Sequence, residues 1–252
     1  MKIVLITGAS AGMGREFARQ LDGQVHVDEF WLVARREERL ESLAGELSHK
    51  VRIFAEDITL PEFPGKLETA LREQDADIKI LVNCAGFGVL GTFAESEMTD
   101  ATGMVDLNCR ALTAVTRCCI PYMRRNSRLI MAASSAAFVP QPNFAVYAAT
   151  KSYVLSFSRA LAEEVRPSGI YVTVFCPGPV ATEFFDIAEK HTESYVYKKY
   201  LMLPTEKVVA EVIAAAKHRQ TVVTPGVIMK LFRFYMKMIP HAIVLKISSK
   251  IK

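Results

Sequence analysis

In the stretch VYAATKSYV, Lys151 follows Tyr147 by four residues. On a helix that spacing is about one turn, so both side chains share a face. A phenol with a reference pKa of about 10 gives an anion too scarce to act as a base near neutrality. A cation beside it stabilises the phenolate and lowers that pKa. The pair is thus equipped to pass a proton to or from an oxygen atom. Taken alone, however, a Tyr–Lys pair is most often plain helix surface, and the rest of the chain must decide.

A second chemical signal stands at the start. The apolar run KIVLI leads straight into TGASAGMGREFARQL, with Gly8, Gly12 and Gly14 in a GxxxGxG pattern that encloses Ser10 and Met13. A strand–glycine turn–helix sequence needs glycine for the tight turn, for backbone approach to a pyrophosphate and for close helix packing. The free N–H groups and dipole of the helix N-terminus then face the phosphates. No Gly-Lys-Ser/Thr follows, which disfavours a Walker-type phosphate loop.

The nucleotide is read from LVARREERL. An acidic residue at the end of the second strand would accept from a ribose 2′-OH, as in NAD sites. This chain has Ala34, Arg35 and Arg36 there instead. A guanidinium donates two parallel hydrogen bonds to phosphate. The expectation is NADP (NADPH), with Arg35 the main 2′-phosphate contact, Arg36 beside it and Ser10 assisting. The plainer reading is a solvated helix start.

These groups need elements to hold them. Seven β-rich runs, KIVLI, FWLVA, VRIFA, IKILVN, SRLIMAAS, IYVTVF and QTVVT, alternate with helical patterns such as Arg35 to Ser48 and Pro61 to Gln74. Most runs are almost continuously apolar, as in strands covered on both faces. The alternation predicts right-handed βαβ crossovers and an α/β fold: a Rossmann-type, doubly wound, seven-stranded parallel sheet flanked by helices in one domain.

With these motifs in place, the chain resembles the short-chain dehydrogenase/reductase family in its short, single-domain form. The resemblance runs from Ile3 to about Pro225 and rests on TGASAGMG, Asp57 in AEDIT, NCAG at 83–86, Asn108 in VDLNC, Ser134 in MAASSAA, YAATK and PGPVAT. It implies an oxidoreductase that interconverts a carbonyl and a secondary alcohol. It implies a catalytic tetrad of Asn108, Ser134, Tyr147 and Lys151. Ser134 lies thirteen residues before Tyr147, the family's usual interval, and is preferred to Ser135. It would donate to the substrate oxygen as charge develops, and Asn108 would hold a water linked to Lys151. Lys151 would also bind the nicotinamide ribose. Asp57 and Ile58 would border the adenine. Asn83, Ala85 and Gly86 would line the cofactor groove. Pro177, Gly178, Val180 and Thr182 would hold the nicotinamide. Cys84 departs from the family, which more often has asparagine there. The resemblance also implies homodimers or homotetramers. Two other readings are a non-catalytic NADP-binding sensor, whose tetrad is usually damaged, and the epimerase/dehydratase branch, whose chains are longer.

Two regions break the alternation of strands and helices. Residues 183–203 follow the sixth strand and are expected to form a substrate lid. Their aromatic and aliphatic residues, among them Phe184, Phe185, Tyr195, Tyr197 and Tyr200, favour an apolar substrate such as a steroid-like molecule, a bulky ketone or a long-chain carbonyl. Core packing explains them equally well. The tail, 227–252, is set apart from a catalytic domain spanning 1–226. Lys230, Arg233, Lys237 and His241 recur at spacings of 3, 4 and 4, a cationic helical stripe that Pro240 should interrupt. The tail is expected to pack on the domain or on a partner subunit, with contact at a membrane surface as the alternative.

Composition narrows the class. The chain has 252 residues and a formal net charge of +4. No acidic residue follows Glu211, whereas eight cations do; subtracting them leaves −4 on the first 211 residues. A nucleic-acid footprint over the body is therefore not expected. Five cysteines and five histidines show no metal-ligand spacing, so no metal is expected, and the thiols read as those of a cytoplasmic protein.

Overall fold

The computed structural model describes residues 1–189 and 202–248. Seven strands form one wholly parallel sheet: β1 (Lys2–Thr7), β2 (Glu29–Ala34), β3 (Lys50–Ala55), β4 (Asp77–Asn83), β5 (Met123–Ala132), β6 (Tyr171–Phe175) and β7 (Val222–Val223). Their order is β3-β2-β1-β4-β5-β6-β7. The chain leaves β1 towards β2 and returns to the other side at β4. The C-terminal ends of β1 and β4 therefore diverge into a crevice, where ligands of doubly wound sheets bind.

The sheet is apolar on both faces, and alternation along β1 shows why. Ile3 and Leu5 belong to one core with Trp31, Leu81 and Leu129. Helices α3 (Phe63–Glu73), α5 (Leu112–Cys119) and α6 (Ala145–Val165) cover it with Leu67, Val115 and Val154. Val4 and Ile6 point the other way, into a core closed by Phe17 of α1 (Gly12–Asp22), Leu40 of α2 (Glu37–Ala44) and Val209 of α8 (Thr205–Lys217). Each such side chain, fully buried, contributes about 1.5–3 kcal/mol. That packing makes the strand ends a rigid platform.

All seven expected runs form strands, but β5 begins earlier than SRLIMAAS, at Met123. Its pairing with β4 shifts between Ile78 and Ile80. Asn126 takes up the irregularity at φ 72°, a left-handed conformation asparagine tolerates better than most residues. The Ser127 hydroxyl fixes it, donating to the Ile78 carbonyl at 2.7 Å.

Helix α4 (Met98–Val105) runs into α5 through the π-helical turn Asp106–Ala111. A π turn admits one extra residue per loop of helix and recurs at functional sites. It carries Asn108, fully buried. Helix α6 buries Tyr147, Thr150, Lys151, Val154, Ser158 and Leu161 along one face, and free of glycine and proline it runs for 21 residues. It ends in a short 3-10 turn at Arg166–Ser168, after which Gly169 at φ 75° reverses the chain.

After β6 come α7 (Phe184–Ala188), α8, and the tail helices α9 (Val227–Met238) and α10 (His241–Ser248). The break at Pro240 falls between the last two. Of the expected lid 183–203, residues 190–201 lie outside the described residues, Tyr195, Tyr197 and Tyr200 among them.

Candidate active site

The glycine turn is shaped by contact. Gly8, at φ +71°, sits so near the next strand that an added Cβ would come within 2.8 Å of the Ala85 backbone. A Cβ on Gly14 would lie 2.2 Å from the Gly8 carbonyl oxygen. Side chains in either place would fill the crevice floor. The Thr7 hydroxyl ties the two strand ends together by accepting from the backbone N–H of Cys84 and Ala85, at 3.2 and 3.3 Å.

Above this floor opens a cleft of about 610 Å³. Gly8, Ser10, Gly12, Met13, Gly14, Arg35, Arg36, Asp57, Ile58, Ala85, Gly86 and Thr182 all line it. Asn83 does not. It is buried at the end of β4 and donates instead to the Thr116 hydroxyl at 2.9 Å, while its Oδ1 has no hydrogen-bond partner among the described residues. Its neighbour Cys84 takes the place on the cleft wall.

The two arginines differ. Arg36 donates to the Ser10 hydroxyl through Nε and Nη2, at 3.3 and 3.2 Å, and pairs with Glu183 at 3.0 Å. Arg35 is 75 % exposed and 3.8 Å from Asp57. Arg36, rather than Arg35, is thus the guanidinium joined to the glycine loop. Asp57 is partly buried, which pushes its carboxyl up, but hydrogen bonds from the Thr59 N–H and hydroxyl and the charge of Arg35 outweigh this and leave it lowered.

Lys151 is buried, and its ammonium donates to the Ala132 carbonyl at 2.9 Å. Burial pulls its pKa down to about 8, and the facing thiols of Cys84, Cys109 and Cys176 partly offset the shift. Asn108 grips the loop after β4 at both ends of its amide. Its Oδ1 accepts from Phe87 N–H at 3.1 Å, and its Nδ2 donates to the Phe87 carbonyl at 2.8 Å and to Thr150 at 3.1 Å. Gly86 is where cleft and polar cluster meet: a Cβ there would stand 2.8 Å from Asn108 Oδ1 and 3.2 Å from Lys151 Nζ.

Tyr147 begins α6 inside an apolar cluster of Val89, Met104, Ala136, Phe144 and Phe184. Phe144 stacks on its ring at 4.3 Å and Phe184 tilts against it at 5.4 Å. Burial pushes the phenol above its ordinary range, and a hydrogen bond with the Ser134 side chain works against that. The Lys151 ammonium is 5.6 Å from the ring centroid. The expected lowering of the Tyr147 pKa by Lys151 is therefore not what dominates here; desolvation does. Ser134 lies just past β5 and caps a short 3-10 turn, accepting from Ala136 N–H at 3.2 Å.

PGPVAT is drawn in beside it, since Ser135 N–H donates to the Pro177 carbonyl at 2.8 Å. Val180 bridges to Leu203. Thr182 packs towards Gly12, and Gly178 abuts Met229 of α9. Phe184 was expected in the lid but not against Tyr147, whereas Phe144 and Gly88 were not among the sequence candidates. No motif marks them; only the fold brings them against Tyr147.

The floor that side chains would fill, the two arginines and the helix N-terminus fit a dinucleotide. Gly8, Gly12 and Gly14 would hold its pyrophosphate and Asp57 and Ile58 its adenine end, and when bound it supplies the hydride. The protein's own groups offer a buried neutral phenol that can give up a proton, a serine hydroxyl beside it, and a buried ammonium.

Comparison with known proteins agrees with this geometry. The family model for short chain dehydrogenase matches residues 2–193. The serine 3-dehydrogenase of Agrobacterium fabrum is 37% identical over 187 residues, covering 72% of this chain and 73% of that protein. The NADP-dependent 3-hydroxy acid dehydrogenase of Schizosaccharomyces pombe is 31% identical over 234 residues, covering 88% of this chain and 89% of the other. Among solved structures, a short-chain dehydrogenase from Sphingobium yanoikuyae in complex with NADPH superposes with a TM-score of 0.78 at 29% identity, covering 90% of this chain and 88% of its own. The chain belongs to the short-chain dehydrogenase family of oxidoreductases.

Proposed function

We propose that this protein is an NADP(H)-dependent oxidoreductase that interconverts a carbonyl and a secondary alcohol on an apolar substrate. The observation that carries the reading is Gly86, a cleft residue placed so that an added Cβ would meet both Asn108 and Lys151. It joins the dinucleotide cleft to the polar cluster beneath Tyr147. In reduction, the Tyr147 hydroxyl protonates the oxygen that accumulates charge, and Ser134 donates to the same oxygen. Lys151 holds positive charge nearby, which favours the phenolate left behind.

The fold accommodates either dinucleotide, so cofactor choice rests on the strand-β2 end. Two guanidiniums and no carboxylate there support NADP, with Arg36 and Ser10 already joined and Arg35 alongside. The apolar substrate rests on the rings of Phe144 and Phe184 flanking Tyr147. The names of two relatives point instead to small hydroxy acids, and that is the competing substrate class. Assembly as a homodimer or homotetramer through the helices that carry Asn108 and Tyr147 belongs to the same proposal.

The test is a panel of steroids, bile acids, bulky ketones, long-chain carbonyls and small hydroxy acids, followed by cofactor absorbance with NADPH and NADH. Turnover of an apolar carbonyl with a preference for NADPH supports the reading. Turnover confined to hydroxy acids, or a preference for NADH, overturns the corresponding half of it.

A further inference from the structure

The tail helix α9 turns part of its cationic stripe towards the domain. Its inner side meets the domain: Met229 against Gly178, Phe232 6.4 Å from the Phe138 ring, and Arg233 donating to Thr224 at 3.4 Å. Lys230 pairs with Glu211 at 2.7 Å. Two of the four residues in the cationic stripe are thus engaged with the domain. The outer side is apolar. Val227, Leu231, Phe234 and Met238 form one exposed stripe, with Ile228 and Tyr235 beside it. At 3.6 residues per turn these six positions occupy roughly a third of the circumference. Phe234 is 60 % and Met238 70 % exposed. A contiguous apolar face of this kind marks an interaction surface.

We propose that this face docks on an anionic lipid surface. Charge selects the occupant. Exposed Lys237 borders the stripe, and no acidic residue lies anywhere from Val212 to Lys252. A second copy meeting the same face by two-fold symmetry would set this cation-only segment against itself. A bilayer with anionic headgroups accepts both features, the apolar stripe entering the headgroup–acyl boundary and the cations meeting phosphate. The helix carries a tyrosine at the edge of the apolar face, a residue suited to the water–lipid boundary. Among the described residues no helix is long and apolar enough to cross a membrane, so the contact is peripheral. Because α9 rests on Gly178 and Phe138, docking would also bring the Ser134 side of the site near the lipid. That consequence rests on the proposed function; the docking itself does not.

The experiment is co-sedimentation of the full chain with vesicles of phosphatidylcholine, alone or mixed with phosphatidylglycerol, at low and high salt. Binding to the mixed vesicles should be at least tenfold stronger than to phosphatidylcholine and should weaken with salt. The double variant Leu231→Asp/Phe234→Asp should bind at least tenfold more weakly while titrating with NADPH as the parent does. Both substituted side chains are exposed, so the fold tolerates the change. No binding to anionic vesicles at low salt overturns the proposal. So does undiminished binding by the double variant, or a dimer in light scattering that the double variant dissolves, which would show a second copy on this face.

Discussion

The Glu183 carboxylate lies 3.0 Å from Arg36 Nη1 and also pairs with Arg39, reaching across the cleft from the residue after PGPVAT to the start of α2. It holds the guanidinium that also touches Ser10, where a 2′-phosphate is proposed to bind. All three side chains are about half exposed, so the pairing contributes no more than about 1 kcal/mol. A phosphate can displace it. Glu183→Gln should therefore tighten NADPH binding about two- to fivefold and leave NADH unchanged, by direct titration. An equal shift for both nucleotides would contradict competition at Arg36.

Arg36→Ala should weaken NADPH roughly 10- to 100-fold, since it removes charge-assisted hydrogen bonds, with little effect on NADH. Arg35→Ala provides the comparison. The sequence favours Arg35 as the main contact, whereas the link to Ser10 favours Arg36. The ratio of kcat/KM for the two nucleotides in each variant decides between them.

Gly88→Ala would bring a methyl group to 2.6 Å from Tyr147 Cδ2 and against the Phe144 ring. The phenol must then move. Because Gly88 is not a lining residue of the dinucleotide cleft, kcat should fall at least tenfold with NADPH affinity preserved. A parallel loss of NADPH affinity would show that the change disturbs the cleft as a whole.

The pH dependence follows from two shifts of opposite sign. Burial raises Tyr147, so its hydroxyl stays protonated and able to donate through neutral pH. Burial lowers Lys151 to about 8, so its charge is present below that value and lost above it. Carbonyl reduction should hold steady around neutrality and decline as pH rises through about 8, read as a kcat/KM profile. A rise across that range would contradict these assignments.

One stability prediction lies far from the site. Asp22 accepts from Ser48 N–H and hydroxyl and from His49 N–H, and sits 2.7 Å from His49 Nδ1. Burial acts to raise its carboxyl, but these bonds together bring it down to about 2 from an ordinary 3.8. A depressed carboxylate stabilises fully above its unfolded pKa and loses that contribution as pH falls through the folded one. Asp22→Asn should cost about 1–2 kcal/mol at neutral pH, with the gap to the parent closing between about pH 4 and 2. Denaturant unfolding at several pH values measures it.

The fold was legible because its strands are short, apolar and regularly separated by helices, and because glycine spacing reports backbone contact directly. Gly8, Gly14 and Gly86 could be picked out by residue type, since each sits where a Cβ would collide. The surroundings of Tyr147 were not legible. Phe144, Gly88 and Phe184 come from three separate segments; Phe184 could be assigned to a lid but not to Tyr147, and nothing local distinguishes Phe144 and Gly88 from core residues. Asn83 shows the converse. It belongs to a motif, yet its side chain turns inward to Thr116 and leaves the cleft wall to Cys84. The rotation of the tail was not legible, because periodicity defines a helix face but not what that face meets. Glu211 and Thr224 settle it by drawing Lys230 and Arg233 inward.

The central claim is that Tyr147 carries the proton for carbonyl reduction. Tyr147→Phe keeps the ring between Phe144 and Phe184 and removes only the hydroxyl. Single-turnover reduction of the best carbonyl in the panel with NADPH should slow by about 100-fold to 10,000-fold, while direct titration gives an NADPH affinity within about twofold of the parent. Parent-like reduction by this variant would contradict the account.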